Sequence, residues 1–200
     1  MQYEMLQLPW RRHQYQSIPE REHSLSNVND IYTSPAKGQA MVRRLVVFAV
    51  KGKGLVGDRY HTDNILTHAT YKNHRIPNAS RNITLIAEHG IQEAQTYLKN
   101  QGFIPFTSSE TRRNIVLKRI TAEELNTLEQ RKAKIRIGNR LTGVTIQLTD
   151  LANPCNVPSK QYGKTDFLHA FEGRGGVRGE ILRSGLIFRS SKLHVLTPKS

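Results

Sequence analysis

The sequence predicts a mainly β protein, folded as a closed or partly open barrel of mixed, largely antiparallel strands with a few short helices. Many segments have strand length and are either continuously apolar or alternate apolar with polar residues. Helical periodicity is scarce, and strands and helices do not alternate as they do in parallel α/β sheets. The chain of 200 residues is long enough for one domain with an extension, and a domain of this size buries about 70% of its unfolded surface.

The N-terminal part of the chain lacks periodicity. Residues 1–28 are polar, so we predict an extension that is either docked or flexible, followed by a barrel domain at 29–200. Residues 30–34 form a plausible short strand that ends at Pro35. Residues 41–50 form a near-continuous apolar run between glycines and are predicted as one buried strand. Residues 60–80 are polar and rich in histidine, which predicts a long loop able to shape access to a site.

The rest of the chain supplies further strands and two helices. Ile91, Ala94 and Leu98 recur at helical spacing, which predicts a helix over 88–100 that Gly102 ends. Thr121 to Glu124 reads as a capping box that opens a second helix ending near residue 130. The predicted strands cover residues 81–87, 113–120, 134–137, 143–149 and 193–196, and a hairpin is predicted from 176–182 and 186–189.

Charge and cysteine content limit the class of protein. The formal net charge is +14, from 30 Lys and Arg against 16 Asp and Glu. Such a field favours anionic partners such as nucleic acid, acidic lipid or a phosphorylated cofactor. The single cysteine excludes an internal disulfide and, with no visible secretory signal, predicts a reduced, cytoplasmic setting. No apolar run reaches the roughly 18 residues of a membrane span, and we expect no membrane partner.

The only cysteine follows the most clearly alternating strand. Val144, Ile146 and Leu148 alternate with polar residues, and the strand runs into a loop stiffened by Pro154 and Pro158. Cys155 lies between these prolines. Free cysteines are most often small buried hydrophobes, but a stiff loop after a strand is also suited to aiming a thiol at a pocket.

A glycine pattern precedes the first arginine of interest. Gly52, Gly54 and Gly57 match G-x-G-x-x-G after an apolar run, but no apolar helical face follows. The dinucleotide-binding interpretation therefore fails, since that motif must open a helix. The glycines permit close backbone approach beside Arg59, which suits an oxyanion pocket, or they form an ordinary turn.

Arginines recur where loops enter strands. Arg112, Arg113 and Asn114 open one strand, where they can clamp a phosphate or remain solvated. Arg174 and Arg178 lie among glycines, which fits either an anion site or a β-bulge. The histidines lack metal-site spacing, and no known nucleic-acid module is visible.

Five segments, in order, resemble the MOSC domain, a family named after the C-terminal part of molybdenum cofactor sulfurases. The resemblance covers residues 29–196 and implies a MOSC-type β-barrel with short helices. The segments that carry it are GLVGDRYH at 54–61, RNITLIAEHG at 81–90, ETRRNIVL at 110–117, IGNRLTGVTIQLTDLANPC at 137–155 and RGGVRGEILRSGLI at 174–187.

The resemblance implies roles for individual residues. Cys155 stands at the family's Pro-Cys position, where the cysteine is a proposed ligand of molybdenum or a proposed sulfur carrier. A thiolate is a soft donor, and nearby cations favour it over the thiol. The implied cofactor is the molybdenum cofactor (molybdopterin), whose phosphate requires a positive pocket. The residues that match the family's motifs and are expected to bind it are Arg59, Arg112, Arg113, Asn114 and Arg174. No pyridoxal-phosphate domain is expected in this chain.

Three functions remain open from the sequence. The resemblance implies an enzyme that reduces N-hydroxylated small molecules with electrons from a separate reductase, with Cys155 as catalytic residue and metal ligand. The alternative is a non-catalytic carrier that hands the cofactor, or a persulfide on Cys155, to an acceptor protein. A further alternative, which the missing modules disfavour, is a basic nucleic-acid-binding module.

Overall fold

The computed structural model describes residues 24–62, 69–71, 74–76 and 82–196, and these residues form a mainly β structure. The predicted extension lies outside the described residues over 1–23, as does much of the predicted loop at 60–80. No helix in the described part of the chain is long and apolar enough to cross a membrane.

The elements are as follows. The strands are β1 (Ser24–Thr33), β2 (Val42–Arg44), β3 (Val46–Val50), β4 (Gly54–Leu55), β5 (Ala69–Tyr71), β6 (His74–Ile76), β7 (Ile83–Ala87), β8 (Ile115–Lys118), β9 (Lys134–Ile137), β10 (Val144–Leu151), β11 (Val177–Arg183), β12 (Gly185–Phe188) and β13 (Lys192–Leu196). The helices are α1 (Arg59–Thr62), α2 (Glu88–Asn100), α3 (Ala122–Gln130), α4 (Val157–Tyr162) and α5 (Phe167–Ala170), with a 3₁₀ turn at Ser109–Thr111.

Seven of the described strands close into a barrel, which confirms the predicted fold class. The order around the ring is β1, β13, β9, β10, β11, β7 and β8, and β8 pairs back with β1. All of these pairings are antiparallel except β7 with β8, which is parallel. The parallel pair is joined through α2, as a parallel connection requires a crossover.

The barrel interior is filled by alternate residues of each strand. In β10, Val144, Ile146 and Leu148 are fully buried, as the alternation predicts. A second cluster lies outside the barrel under α2, where Phe106, Phe167 and Phe171 pack ring against ring. This second cluster packs α5 against α2.

The first barrel strand begins earlier than the sequence predicts. β1 starts at Ser24, so the expected boundary at residue 28 lies inside a strand, and Val28 is fully buried. The sequence does not reveal the start of this strand because a polar residue, Ser26, occupies a buried position. Its hydroxyl donates a hydrogen bond to the carbonyl of Lys118 at 2.7 Å. Register shifts on both sides of β1 also interrupt its alternation.

The prediction of one buried strand over residues 41–50 is wrong. The segment divides at Leu45 into β2, which pairs with β1, and β3, which pairs with β12 and β4. In β3 only Val47 and Ala49 are buried, while Val46 and Phe48 are exposed. The prediction failed because β3 belongs to a sheet with one face open to solvent. The apolar composition of the segment does not distinguish such a strand from one that is buried on both faces.

The predicted hairpin over 176–189 is also wrong, although both of its strands exist. β11 pairs with β10 and β7, whereas β12 pairs with β3 in the three-stranded sheet β12–β3–β4. The chain changes sheet at Ser184, whose hydroxyl accepts a hydrogen bond from the Lys51 amide at 2.8 Å. Gly185 permits this change because a Cβ there would lie 2.4 Å from the Thr142 carbonyl oxygen.

Two predicted helices are confirmed. α2 covers residues 88–100, and the capping box of α3 is formed by Thr121 and Glu124 in both directions. Within the predicted loop at 60–80 the structure describes α1 at its start and the short antiparallel pair β5 and β6.

Candidate functional site

A cleft of about 190 Å³ opens beside the parallel pair of strands. It lies where β1 ends, where β8 begins and where α1 and α4 meet them. The lining combines cations, one thiol and a few apolar side chains, and it comprises Ser34, Met41, Asp58, Arg59, Tyr60, Thr84, Arg112, Asn114, Cys155, Val157 and Pro158.

Cys155 lies at the wall of this cleft and is exposed. β10 ends at Leu151, and the Ala152 amide then donates to the carbonyl of Gly176 at 2.8 Å, which anchors the loop to the barrel. α4 begins at Val157, with a buried Pro158 in its first turn. The thiol is therefore held between two anchored points, and its exposure excludes the interpretation of Cys155 as a small buried hydrophobe.

Arg59 also lines the cleft, from the short helix α1. Its Nη2 donates to the Tyr60 hydroxyl at 2.8 Å, and the guanidinium carbon lies 4.5 Å from the centre of the Tyr60 ring. The backbone amide of Arg59 donates to the carbonyl of Ser34 at 2.7 Å, which ties α1 to the end of β1. The side-chain contact with Tyr60 holds the Arg59 guanidinium against the ring, and its positive charge remains at the wall of the cleft.

Arg112 enters the cleft from the 3₁₀ turn before β8. Its backbone is left-handed, with φ 60°. Its Nη1 donates to the Gln161 side chain at 2.7 Å and to the carbonyl of Gln39 at 3.0 Å. These contacts hold the guanidinium at the junction of α4 with the segment that follows β1.

The floor of the cleft is a network around Asp58 and Asn114. The Asp58 carboxylate accepts hydrogen bonds from the Ser34 amide at 2.9 Å, the Tyr60 amide at 3.1 Å and Asn114 Nδ2 at 3.2 Å. Asn114 Nδ2 also donates to the carbonyl of Tyr32 at 3.2 Å, and its Oδ1 accepts from the Thr84 hydroxyl at 2.8 Å. Asn114 is 7% exposed, so its amide positions Asp58 more than it offers donors to a ligand.

Arg113 lies behind the cleft and does not line it. Its Nε donates to the carbonyl of Gly175 and its Nη2 to that of Ala152, both at 2.7 Å. Burial lowers the pKa of Arg113 to about 10 and the cation of Arg178 lowers it too, while Cys155 and Tyr60 oppose the shift. A pKa of about 10 leaves Arg113 charged near neutral pH, so a half-buried positive charge lies near the thiol.

Arg174, the remaining predicted residue, lies elsewhere. It lines a separate polar groove between α2 and α3, where its Nε is 3.6 Å from Glu93 and its Nη1 donates to the carbonyl of Ala170. Gly90 packs against its Cβ. The structure therefore brings Arg59, Arg112, Asn114 and Cys155 together and separates Arg174 from them.

The sequence reasoning missed several cleft residues. Asp58 and Tyr60 flank Arg59, and the G-D-R-Y-H string contained the signal for both. Ser34 and Thr84 in the cleft, and Gln161 as the partner of Arg112, gave no signal, because their positions depend on contacts between distant segments. No group of three or more His, Cys, Asp or Glu side chains able to hold a metal ion occurs among the described residues.

Comparisons with known proteins identify the fold. No family model and no curated protein matches the chain. Among solved structures, the YUAD protein from Bacillus subtilis superposes with a TM-score of 0.69 at 16% identity, over 87% of this chain and 97% of that one. YiiM from Escherichia coli gives a TM-score of 0.58 at 14% identity, over 88% of this chain and 71% of that one. YiiM from Geobacillus stearothermophilus gives 0.51 at 12% identity, over 88% and 75%.

These likenesses define the fold. YUAD and YiiM are MOSC-domain proteins, and the barrel described above is a MOSC-like fold. Identities of 12–16% carry the fold alone. The cleft at Cys155 must therefore be argued from its own chemistry.

Proposed function

We propose that this protein binds a molybdenum cofactor at the Cys155 cleft and reduces N-hydroxylated compounds by cleaving their N–O bond. The observation that carries the proposal is one exposed thiol on the wall of a cleft that also holds two arginines, Arg59 and Arg112, within a MOSC-like fold. A thiolate is a soft ligand suited to such a metal, and the guanidinium groups suit a phosphate.

The residues present fit this group in their donor chemistry. Cys155 would hold the metal, Arg59 and Arg112 would face the phosphate, and Arg113 would supply positive charge behind the sulfur. The cleft of about 190 Å³ is smaller than the roughly 300–1,000 Å³ of sites that enclose a ligand. A bound cofactor would therefore be only partly enclosed, with its remainder exposed to substrate and donor.

When bound, the cofactor supplies two-electron redox chemistry at the metal. In the overall reaction an N-hydroxylated compound takes up two electrons and two protons, its N–O bond breaks, and the amine-type product and water leave. The chain's own contribution is to hold and orient. The Asp58–Asn114 network fixes α1 and Arg59, and the anchored loop between β10 and α4 fixes the thiol.

The exposure of Cys155 also supports a second candidate, a sulfur carrier. A thiol on the wall of an open cleft can be reached by an acceptor protein, as transfer of a persulfide sulfur requires. Such a carrier would bear a persulfide on Cys155 and would show no reductase activity of its own.

The experiment compares the parent protein with Cys155→Ser and with Asn153→Ser, a change at an exposed residue of the same loop. Protein from a molybdenum-replete host is assayed for bound molybdenum and for reduction of an N-hydroxylated base by a small chemical reductant. We expect about one molybdenum per chain in the parent and in Asn153→Ser. Cys155→Ser should lose the metal and the activity, with a change in folding stability within about 0.5 kcal/mol because the side chain is exposed.

Each other outcome decides between the candidates. Full reductase activity in Cys155→Ser would contradict both proposals. A parent that carries a persulfide detectable by mass, transfers it to an acceptor and reduces no N-hydroxylated compound would favour the carrier. A parent that holds neither molybdenum nor persulfide would overturn both.

A further inference from the structure

The outer face of the sheet β12–β3–β4 is apolar and open to solvent. On β3, Val46 and Phe48 point outward while Val47 is buried. On β12, Phe188 lies directly opposite Val46, and Leu186 lies opposite Phe48. These cross-strand pairs place four large side chains on one surface, with Val46, Phe48 and Phe188 each 43–47% exposed.

The apolar surface continues beyond these two strands. The Val56 amide donates to the carbonyl of Phe48 at 2.9 Å, and the Val56 side chain is exposed. Leu45, at the other end, is 73% exposed. We call Leu45, Val46, Phe48, Val56, Leu186 and Phe188 the sheet face. A contiguous exposed apolar surface of this kind is typical of an interaction site, whereas isolated exposed apolar residues are normal.

Cations border the sheet face. The segments 42–56 and 184–190 contain no acidic residue and five cations, namely Arg43, Arg44, Lys51, Lys53 and Arg189. Lys51 and Lys53 are exposed in the turn between β3 and β4. Arg43 and Arg189 both contact Asp30, which is 8% exposed and so contributes little negative surface. The border of the sheet face is therefore positive.

The sheet face adjoins the cleft. Val56 is two residues from Asp58, which lies in the cleft floor, and the Asp58 amide donates to the carbonyl of Leu55 at 2.9 Å. Arg44 Nη2 lies 3.7 Å from the place a Cβ would take at Gly57. A protein docked on the sheet face would lie next to the rim of the cleft.

We propose that the sheet face is the docking surface for an acidic electron-donor protein, an inference that rests on the proposed reductase function. An apolar centre with a charged rim has the anatomy of a protein interface, and a positive rim requires a negative partner. Six side chains fit the small, transient contacts of redox partners, which bury less than about 1,200 Å² in total.

A protein partner is favoured over an anionic membrane because of how the side chains sit. Val46, Phe48 and Phe188 are 43–47% exposed, so more than half of each side chain is already covered by its neighbours in the sheet. A complementary protein surface can pack against such a face. Insertion into lipid requires side chains that reach several ångströms beyond the backbone into the acyl boundary.

The redox step fixes what the donor must provide. Each N–O bond that is cleaved consumes two electrons and two protons, and water leaves. The donor is a reduced electron-transfer protein with an acidic surface, which is oxidised by two electrons per turnover in one or two encounters. The protons come from solvent. We use flavodoxin, a small acidic flavoprotein, as the probe.

The first measurement is binding of flavodoxin to the full chain at low and at physiological salt. We expect a micromolar complex that weakens with salt, because charge steers its formation. The double variant Phe48→Ser, Phe188→Ser and the separate double variant Lys51→Glu, Lys53→Glu should each bind at least about 10-fold more weakly. The matched controls Ile104→Ser and Lys99→Glu change exposed residues in and just after the last turn of α2, outside the sheet face, and should bind as the parent does.

The second measurement separates docking from chemistry. Reduction of the N-hydroxylated substrate is followed with reduced flavodoxin and, in parallel, with a small chemical reductant. We expect the sheet-face variants to lose at least about 10-fold in rate with flavodoxin and to keep the parent rate with the small reductant. If the parent itself fails with the small reductant, the proposed function fails, and the binding measurement still tests the surface by itself.

Three results would overturn the docking proposal. One is parent-like flavodoxin binding by both sheet-face variants, or no binding by the parent. Another is co-sedimentation of the parent, but not of Phe48→Ser, Phe188→Ser, with vesicles of phosphatidylglycerol and phosphatidylcholine, which would assign the face to a membrane. The third is a parent dimer that the same variant converts to a monomer, which would assign it to a second copy of this chain.

Discussion

Arg112 and Arg113 are neighbours in sequence, but their side chains point to different places and have different roles in the structure. The guanidinium of Arg112 reaches the cleft, whereas that of Arg113 turns behind it and donates to the carbonyls of Ala152 and Gly175. These two carbonyls belong to the Cys155 loop and to the glycine-rich loop before β11. Arg113 therefore joins both loops to the start of β8.

This difference predicts opposite effects of two alanine variants. Arg113→Ala should destabilise the fold by at least about 2 kcal/mol, since hydrogen bonds from a charged donor contribute roughly 1.5–3 kcal/mol each. Arg112→Ala should destabilise the fold less than Arg113→Ala, because the hydrogen bond from Arg112 to the Gln39 carbonyl is exposed to solvent, but it should weaken retention of a phosphate-bearing cofactor. Urea unfolding and cofactor content of the two variants check this. An Arg113→Ala protein of parent stability would show that its two hydrogen bonds contribute nothing net.

At the scale of elements, an ion pair outside the cleft connects two of the segments that form it. Glu110, in the 3₁₀ turn before Arg112, accepts a hydrogen bond from Lys164 at 2.7 Å, and both side chains are 16% exposed. Lys164 lies between α4 and α5 and also donates to the carbonyl of Pro105 at 2.9 Å. The pair thus links the turn that presents Arg112 to the helices that follow Cys155.

This pair makes stability depend on pH in a defined direction. Burial alone would raise the pKa of Glu110, but hydrogen bonds from Lys164 and from the Thr107 amide more than offset it, so its pKa is lowered. A carboxyl group with a lowered folded-state pKa stabilises the fold fully above its unfolded pKa, about 4.3, and loses that contribution as pH falls through the folded value. The Glu110 contribution is therefore present at neutral pH and absent in strong acid.

We expect Glu110→Gln to lower the free energy of unfolding by about 1–2 kcal/mol near neutral pH and by much less at about pH 2. Urea titrations of parent and variant at both pH values give the comparison. Glu93→Gln serves as the control, because the Glu93 contacts with His89 and Arg174 are largely exposed and should contribute little at either pH. An equal effect of Glu110→Gln at both pH values would contradict the linkage.

At the scale of the whole molecule, the barrel is closed by the pairings of β1 with β13 and with β8. A closed ring of described strands has no free edge, so its strands cannot separate singly without breaking two neighbours. The sheet β12–β3–β4 differs, since one of its faces is exposed and β4 has only two residues.

Hydrogen exchange should reveal this difference. Amides of β1, β9, β10 and β11 should exchange with one common free energy, equal to that of global unfolding. Amides of β3 and β12 should exchange through smaller local openings. Early exchange confined to β1 would contradict the closed ring as a single cooperative unit and would locate its weak point at the β1–β13 seam.

The sequence by itself determined the elements whose signals are local. α2 follows from apolar residues at helical spacing, and α3 follows from the Thr121–Glu124 capping box, which acts over four residues. β10 follows from its alternation, and the loop after it directed attention to Cys155. The mainly β fold class also follows, because it depends on the sum of many local preferences.

Tertiary contacts alone decided the rest. Residues 41–50 carry one apolar run, but the partners of β2 and β3 divide it between two sheets. β1 is a strand despite its polar residues because neighbours on both sides complete its hydrogen bonds. The three arginines have the same side chain, and only the groups around each one decide its role. Arg112 lines the cleft, Arg113 joins two loops through hydrogen bonds, and Arg174 lies in a separate groove. A local pattern specifies the conformation of a segment, whereas the use of a charged side chain depends on contacts made by residues far apart in sequence.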